Sequence, residues 1–190
     1  MKTFKYIALI ASLIVTSLFA APAMAEYLPG DASAEDRVPS IERVLAYLQS
    51  DQVVPSRFDL RRLSADPVAD LVNLANTNAH GLVVRSKAIQ SLSLYTGDDR
   101  AAETMTELMR STRNNNRLFP VVIVAYAQVL GDEATTELSQ LAQNRNVDVR
   151  LAAVTALGRF GGQDGYETLL KLETQEANDS VRQRIQAFTR

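Results

Sequence analysis

The chain has 190 residues, no cysteine, one histidine, and 20 basic against 22 acidic side chains for a formal charge of −2. With 46% hydrophobic residues it has the composition of a folded protein rather than a disordered one. The lack of cysteine excludes disulfides and thiol nucleophiles, and an acidic balance with 6% aromatic residues argues against nucleic acid as a partner.

The N-terminus carries a targeting pattern. Lys2 and Lys5 form a positive n-region, residues 7–20 an apolar h-region, and Ala23-Met24-Ala25 a small-x-small cleavage site. Together they predict a signal peptide over residues 1–25, with Glu26 as the mature N-terminus. An uncleaved anchor is the alternative, but the apolar run is shorter than the roughly 20 residues a spanning helix needs. Export to the periplasm is the expected route, with secretion as the alternative. Cleavage would leave 18 basic against 22 acidic residues, a net charge of −4, and no further stretch apolar enough to span a membrane.

Residues 26–39 are acidic and broken by Pro29, Gly30 and Pro39, which predicts a flexible leader. In residues 40–55, Ser40 is placed to cap a short helix whose apolar face is Ile41, Val44, Leu45 and Leu48. This helix is expected to cover the N-terminal end of the domain that follows.

Residues 56–190 hold one phrase in several copies. From Arg150, apolar residues fall at Ala153, Val154, Leu157 and Phe160, with Gly161 behind them. The same offsets give Ala88, Ile89, Leu92 and Tyr95 from Arg85, and Ile123, Val124, Ala127 and Leu130 from Pro120. Arg182 and Ile185 start one more copy. The origins lie 35, 30 and 32 residues apart. A fixed period of this size predicts stacked helical hairpins, each with one buried stripe and a glycine closing its first helix in the left-handed region. Second helices are predicted with stripes at Ala102, Met105, Leu108 and Met109, at Ala134, Leu138, Leu141 and Ala142, and at Leu169, Leu170 and Leu172. A degraded copy begins at Ser56, where Asp66-Pro67 is a strong helix start. The fold class is therefore all-α, an α-solenoid of three to four antiparallel helical hairpins.

Asp148-Val149-Arg150, the Ala-rich helix, Leu157-Gly158 and the leucines of the second helix resemble the HEAT-like repeat family, in particular the short repeats of phycobilin lyase subunits. Asp179, Val181 and Arg182 begin a further match. The resemblance implies a ladder of caps and ion pairs between neighbouring repeats, formed by Asp148, Asp179, Arg150 and Arg182. Asp148 and Asp179 are expected to cap helix N-termini. Pro120 interrupts the ladder, and the loop at 111–117, with Asn114, Asn115 and Asn116, is expected to protrude.

No catalytic constellation emerges. His80 is the only histidine, set in an expected turn, so neither a His pair for a metal nor a serine triad independent of it is available. No catalytic residue, cofactor or metal is assigned, and no enzyme is expected. Glu103, Glu137 and Glu167 occupy equivalent places on successive second helices, with Glu107 one turn from the row. If the second helices line the concave side, these acids face a groove for a cationic protein or peptide segment. The commoner meaning of such a charge run is a solvated face that keeps the stack soluble. The functional expectation is a non-enzymatic interaction scaffold or adaptor of the periplasm or envelope. A lyase-like or chromophore-handling subunit is the alternative that the resemblance implies. Partner and oligomeric state are not encoded in any motif.

Overall fold

The computed structural model describes residues 38–50 and 54–190. The expected signal peptide, and all of the leader but its last two residues, lie outside the described residues. The helices are α1 (Ser40–Gln49), α2 (Arg57–Leu63), α3 (Pro67–Asn76), α4 (Gly81–Leu92), α5 (Asp99–Ser111), α6 (Phe119–Leu130), α7 (Thr135–Leu141), α8 (Val147–Phe160), α9 (Gly162–Glu173) and α10 (Asp179–Thr189). A 3-10 turn, Gly131–Ala134, leads into α7. Among the described residues there is no strand, and the architecture is the all-α solenoid that the repeat period predicts.

The early hairpins are phased one helix before the sequence suggests: α3 packs on α4 and α5 on α6. Further on, α8 packs on both α7 and α9, so the expected α8–α9 hairpin is present, and α9 packs on α10 as well. The glycine-containing turn that ends α4 thus joins two hairpins instead of closing one. Stacking produces two rows. In the first, α4 meets α6, α6 meets α8, and α8 meets α10; in the second, α3 meets α5 and α7 meets α9. α1 packs against α2, α3 and α4 through the fully buried Val44 and Leu48. Its capping differs from expectation. Ser40 is already the first helical residue and makes no side-chain cap; the Pro39 carbonyl accepts from the Glu42 and Arg43 N–H groups.

The predicted stripes form the core. Leu71, Ile89, Leu92, Met105, Leu108, Ile123, Leu138, Leu157, Leu169 and Ile185 are all fully buried or nearly so. Leu170 departs from its stripe: it lies on the outer side of α9 at 43% exposure, one position past the buried Leu169.

Helix ends show how the repeats interlock. Ser56 and Asp59 form a reciprocal capping box on α2. Asp66 caps α3 with Pro67 at the first helical position, as the sequence predicts. At α8 and α10 the caps are asparagines and not the expected aspartates. Asn146 Oδ1 accepts from the Asp148 N–H at 2.9 Å, and Asn178 Oδ1 from the Ser180 and Val181 N–H groups at 3.1 and 3.2 Å. Asp148 and Asp179 sit in the first turn, exposed, where their charge opposes the positive helix end.

The arginines of the repeat phrase serve the other end of the dipole. Arg85 Nε donates to the Ala75 carbonyl at 2.6 Å, Arg150 Nη1 to those of Asn144 and Arg145, and Arg182 to those of Glu176 and Ala177. Each guanidinium thereby neutralises carbonyls at or just past the end of the preceding second-row helix, groups that have no partner within that helix. Lys87 does the same for α1, donating to the Leu48 and Ser50 carbonyls at 3.0 and 2.6 Å.

The glycine expectation holds at two of three turns. Gly97 and Gly131 have φ of 84° and 60°, whereas Gly161 has φ of −83° and it is Gly162, φ 55°, that takes the left-handed conformation. Gly161 is needed for closeness: a Cβ there would stand 2.9 Å from the Gly165 Cα, and one on Gly165 only 2.6 Å from the Leu157 carbonyl oxygen. α9 therefore starts against the end of α8 with almost no linker.

Candidate functional site

A surface hollow of about 810 Å³ runs across the first row of helices. α6 supplies Pro120, Val121, Val124, Ala125 and Gln128, spaced so that they share one face of the helix, beside the one that buries Ile123 and Ala127. α8 supplies Asp148, Leu151, Ala152, Thr155 and Arg159 at the same periodicity. The end of α4 adds Gln90, Ser93 and Leu94, the 111–117 loop adds Asn116 and Arg117, and α10 adds Arg184. Ser93 Oγ donates to the Gln90 carbonyl and to Gln128 Oε1, at 2.8 and 3.2 Å, which ties the α4 end of the groove to α6.

Two features separate this groove from an ordinary solvated face. Its floor is aliphatic: Val121, Val124 and Leu151 pack against the edge of the core yet are only half-buried, and their remaining surface lines the groove. A helix that packs on its inner side alone should carry polar residues there. Its rim is cationic, with Arg117, Arg159 and Arg184 against the single acid Asp148 among the lining residues.

The sequence expectation puts the groove on the second helices; this hollow lies on the first row. The acids lie on the other row. Glu103 and Glu107 flank a shallow hollow with Arg110 and Ser111 on α5. Glu137 accepts from Arg113 at 2.7 Å, and Glu167 from Gln163 at 3.1 Å. None of these acids lines the large groove.

The asparagines of the loop separate by role. Asn115 is structural: its Oδ1 accepts from the Arg117 and Leu118 N–H groups and its carbonyl from the Phe119 N–H at 2.9 Å, which turns the chain into α6. Asn114 is exposed, and Asn116 joins the groove wall. His80 is exposed in the turn before α4. Among the described residues no three His, Asp or Glu side chains are grouped to hold a metal, and no helix is long and apolar enough to cross a membrane. What the site offers chemically is binding: aliphatic area within, fixed positive charge at the edge.

Electrostatics elsewhere is structural. Arg100 joins the caps of two second-row helices, donating to Asp66 at 2.7 Å and to Asp98 at 3.0 Å. Its hydrogen bonds hold both carboxyls below the ordinary carboxylate range.

Residues 116–189 match the family model for HEAT repeats. That span takes in α6 to α10, and so most of the groove wall. A search of the curated proteins finds no match to the chain.

Proposed function

We propose that the protein is a non-enzymatic scaffold or adaptor of the periplasm or cell envelope, holding a protein or peptide segment in the groove across α4, α6, α8 and α10. The carrying observation is the aliphatic floor formed by Val121, Val124 and Leu151, half-buried at the edge of the core and lining the groove. The HEAT-repeat match supports it, since such repeats commonly mediate protein–protein interaction and stacked hairpins present extended surfaces suited to it. The export half of the reading rests on the n-region, h-region and Ala23-Met24-Ala25 pattern. In this reading the acids of α5, α7 and α9 form the solvated side of the stack, with Glu137 already neutralised by Arg113.

Val124→Glu combined with Leu151→Glu places charge on the floor at two half-buried positions while leaving the fully buried Ile123, Ala127, Val154 and Leu157 unchanged. Capture of native partners from an envelope fraction should be lost, with helix content and melting temperature held. Undiminished capture by the folded double variant would remove the groove from the reading. Intact-mass measurement of the exported protein should give Glu26 as the first residue. Bound pigment in the purified protein would favour the chromophore-handling alternative.

A further inference from the structure

We infer that the occupant of the groove is an acidic protein segment with interspersed apolar residues, its carboxylates seated on Arg117, Arg159 and Arg184. This rests on the groove reading above and adds the chemistry of the partner. The first argument is which arginines are already engaged. Arg85, Arg150 and Arg182 are bound to helix-end carbonyls, and Arg100, Arg113 and Arg190 are in ion pairs. The side chains of Arg117, Arg159 and Arg184 make no ion pair or hydrogen bond with any described residue, and all three are exposed on the groove wall.

Convergence is the second argument. The three come from the loop before α6, the last turn of α8 and the middle of α10, so the fold brings together charges far apart in the chain. They do so on a protein whose net charge is −2. An acidic partner is repelled by the chain as a whole and attracted at this face, which selects both the place and the orientation of docking. A guanidinium is also the cation best shaped for carboxylate, which it meets with two parallel hydrogen bonds.

The floor decides between an acidic peptide and a nucleic acid, either of which three arginines attract. No aromatic side chain lines the groove to stack on bases, and the aliphatic floor offers area that leucine or valine side chains can cover.

The test is fluorescence anisotropy on the purified full protein with three labelled amphipathic peptides of about 16 residues, long enough for a helix to lie along a groove. Their apolar positions are all leucine and their polar positions all Glu, all Gln or all Lys; a labelled single-stranded oligonucleotide is the fourth probe. The Glu peptide should bind at least about ten-fold more tightly than the Lys peptide, and raising salt from roughly 50 to roughly 500 mM should weaken it several-fold. In R117Q/R159Q/R184Q that preference should disappear while helix content and melting temperature are kept, because none of the three is engaged in the fold. The inference is overturned if the Lys peptide binds as tightly, if the triple variant keeps the preference, or if the oligonucleotide binds best. Equal binding of Glu and Gln peptides, abolished by Val124→Glu with Leu151→Glu, would overturn the acidic partner and leave the groove standing. No binding of any probe overturns the inference, and the groove reading falls with it only if the floor variant also leaves native capture unchanged.

Discussion

Arg150 and Glu176 meet through two hydrogen bonds, Nε to Oε2 at 2.9 Å and Nη2 to Oε1 at 3.1 Å, and the side chains are only 15% and 10% exposed. The same carboxylate accepts from the Asn178 N–H at 2.8 Å, next to the cap of α10. One acid in the α9–α10 loop thus anchors the start of α10 and grips the arginine of the hairpin before it. Glu176→Ala leaves a largely buried guanidinium short of two charge-assisted bonds and should cost about 1.5–3 kcal/mol. The urea midpoint of the variant measures it, and an unchanged midpoint would show the pair to be idle.

The pair also sets an acid limit. Burial pushes the Glu176 carboxyl up, but hydrogen bonds from Arg150 and the Asn178 N–H outweigh it and leave the group below its ordinary value of 4.5. Below that value the unfolded chain takes up the proton before the folded one does, so stability falls as pH falls. The contribution is complete above about 4.5 and lost on passing through the lowered folded value. Urea titrations from neutral pH down to about pH 3 should show a shallower decline for Glu176→Gln than for the parent.

Leu157 is 1% exposed near the end of α8 and belongs to the shared core. Leu157→Ala should cost about 2–5 kcal/mol through lost burial and the cavity left behind. Thermal unfolding that starts no earlier than in the parent would disprove the register of the α8 stripe.

Gly165→Ala should lower the melting temperature although alanine is the better helix former by about 1 kcal/mol. The added methyl meets the Leu157 carbonyl at 2.6 Å, a backbone atom that cannot turn aside. The methyl of Gly158→Ala collides with the ring of Phe188 and should loosen α10 from α8. Differential scanning calorimetry of both variants decides this; a rise for Gly165→Ala would mean that the α8–α9 junction has room.

Removing the residues after Ser180 strips Val181 and Ile185, both fully buried, from the end of the stack. The truncated protein should expose the faces of α8 and α9 that α10 covers and should associate on gel filtration. A monodisperse truncated monomer would contradict this.

The sequence revealed the helices well because a period of three to four apolar positions reports burial directly, as Ile89, Ile123, Leu157 and Ile185 illustrate. Hairpin phasing was less legible: Gly97 looks like a hairpin turn, yet α4 pairs with α3. Caps were misplaced by a residue or two because aspartate and asparagine compete for the same position, and Asn146 and Asn178 hold it. The groove was hidden for a different reason. Val121 and Val124 belong to the β-branched run 121–124, which in a one-dimensional reading counts wholly toward the core. Only the packing of the helices shows that two of its four residues, Val121 and Val124, are left half-buried in a groove wall beside arginines that lie up to 67 positions apart.

Pro120 stands where its neighbours carry the arginine that clamps the previous helix end, so no guanidinium reaches from α6 to the end of α5. The buried Thr112 hydroxyl takes the Leu108 carbonyl instead, at 2.7 Å. Cohesion across that joint is left to apolar packing and to the Asn115 hydrogen bonds that turn the chain into α6. Apolar cohesion fades on cooling while hydrogen-bonded clamps do not fade with it. Cooling should therefore weaken the α5–α6 joint more than the arginine-clamped ends of α3, α7 and α9.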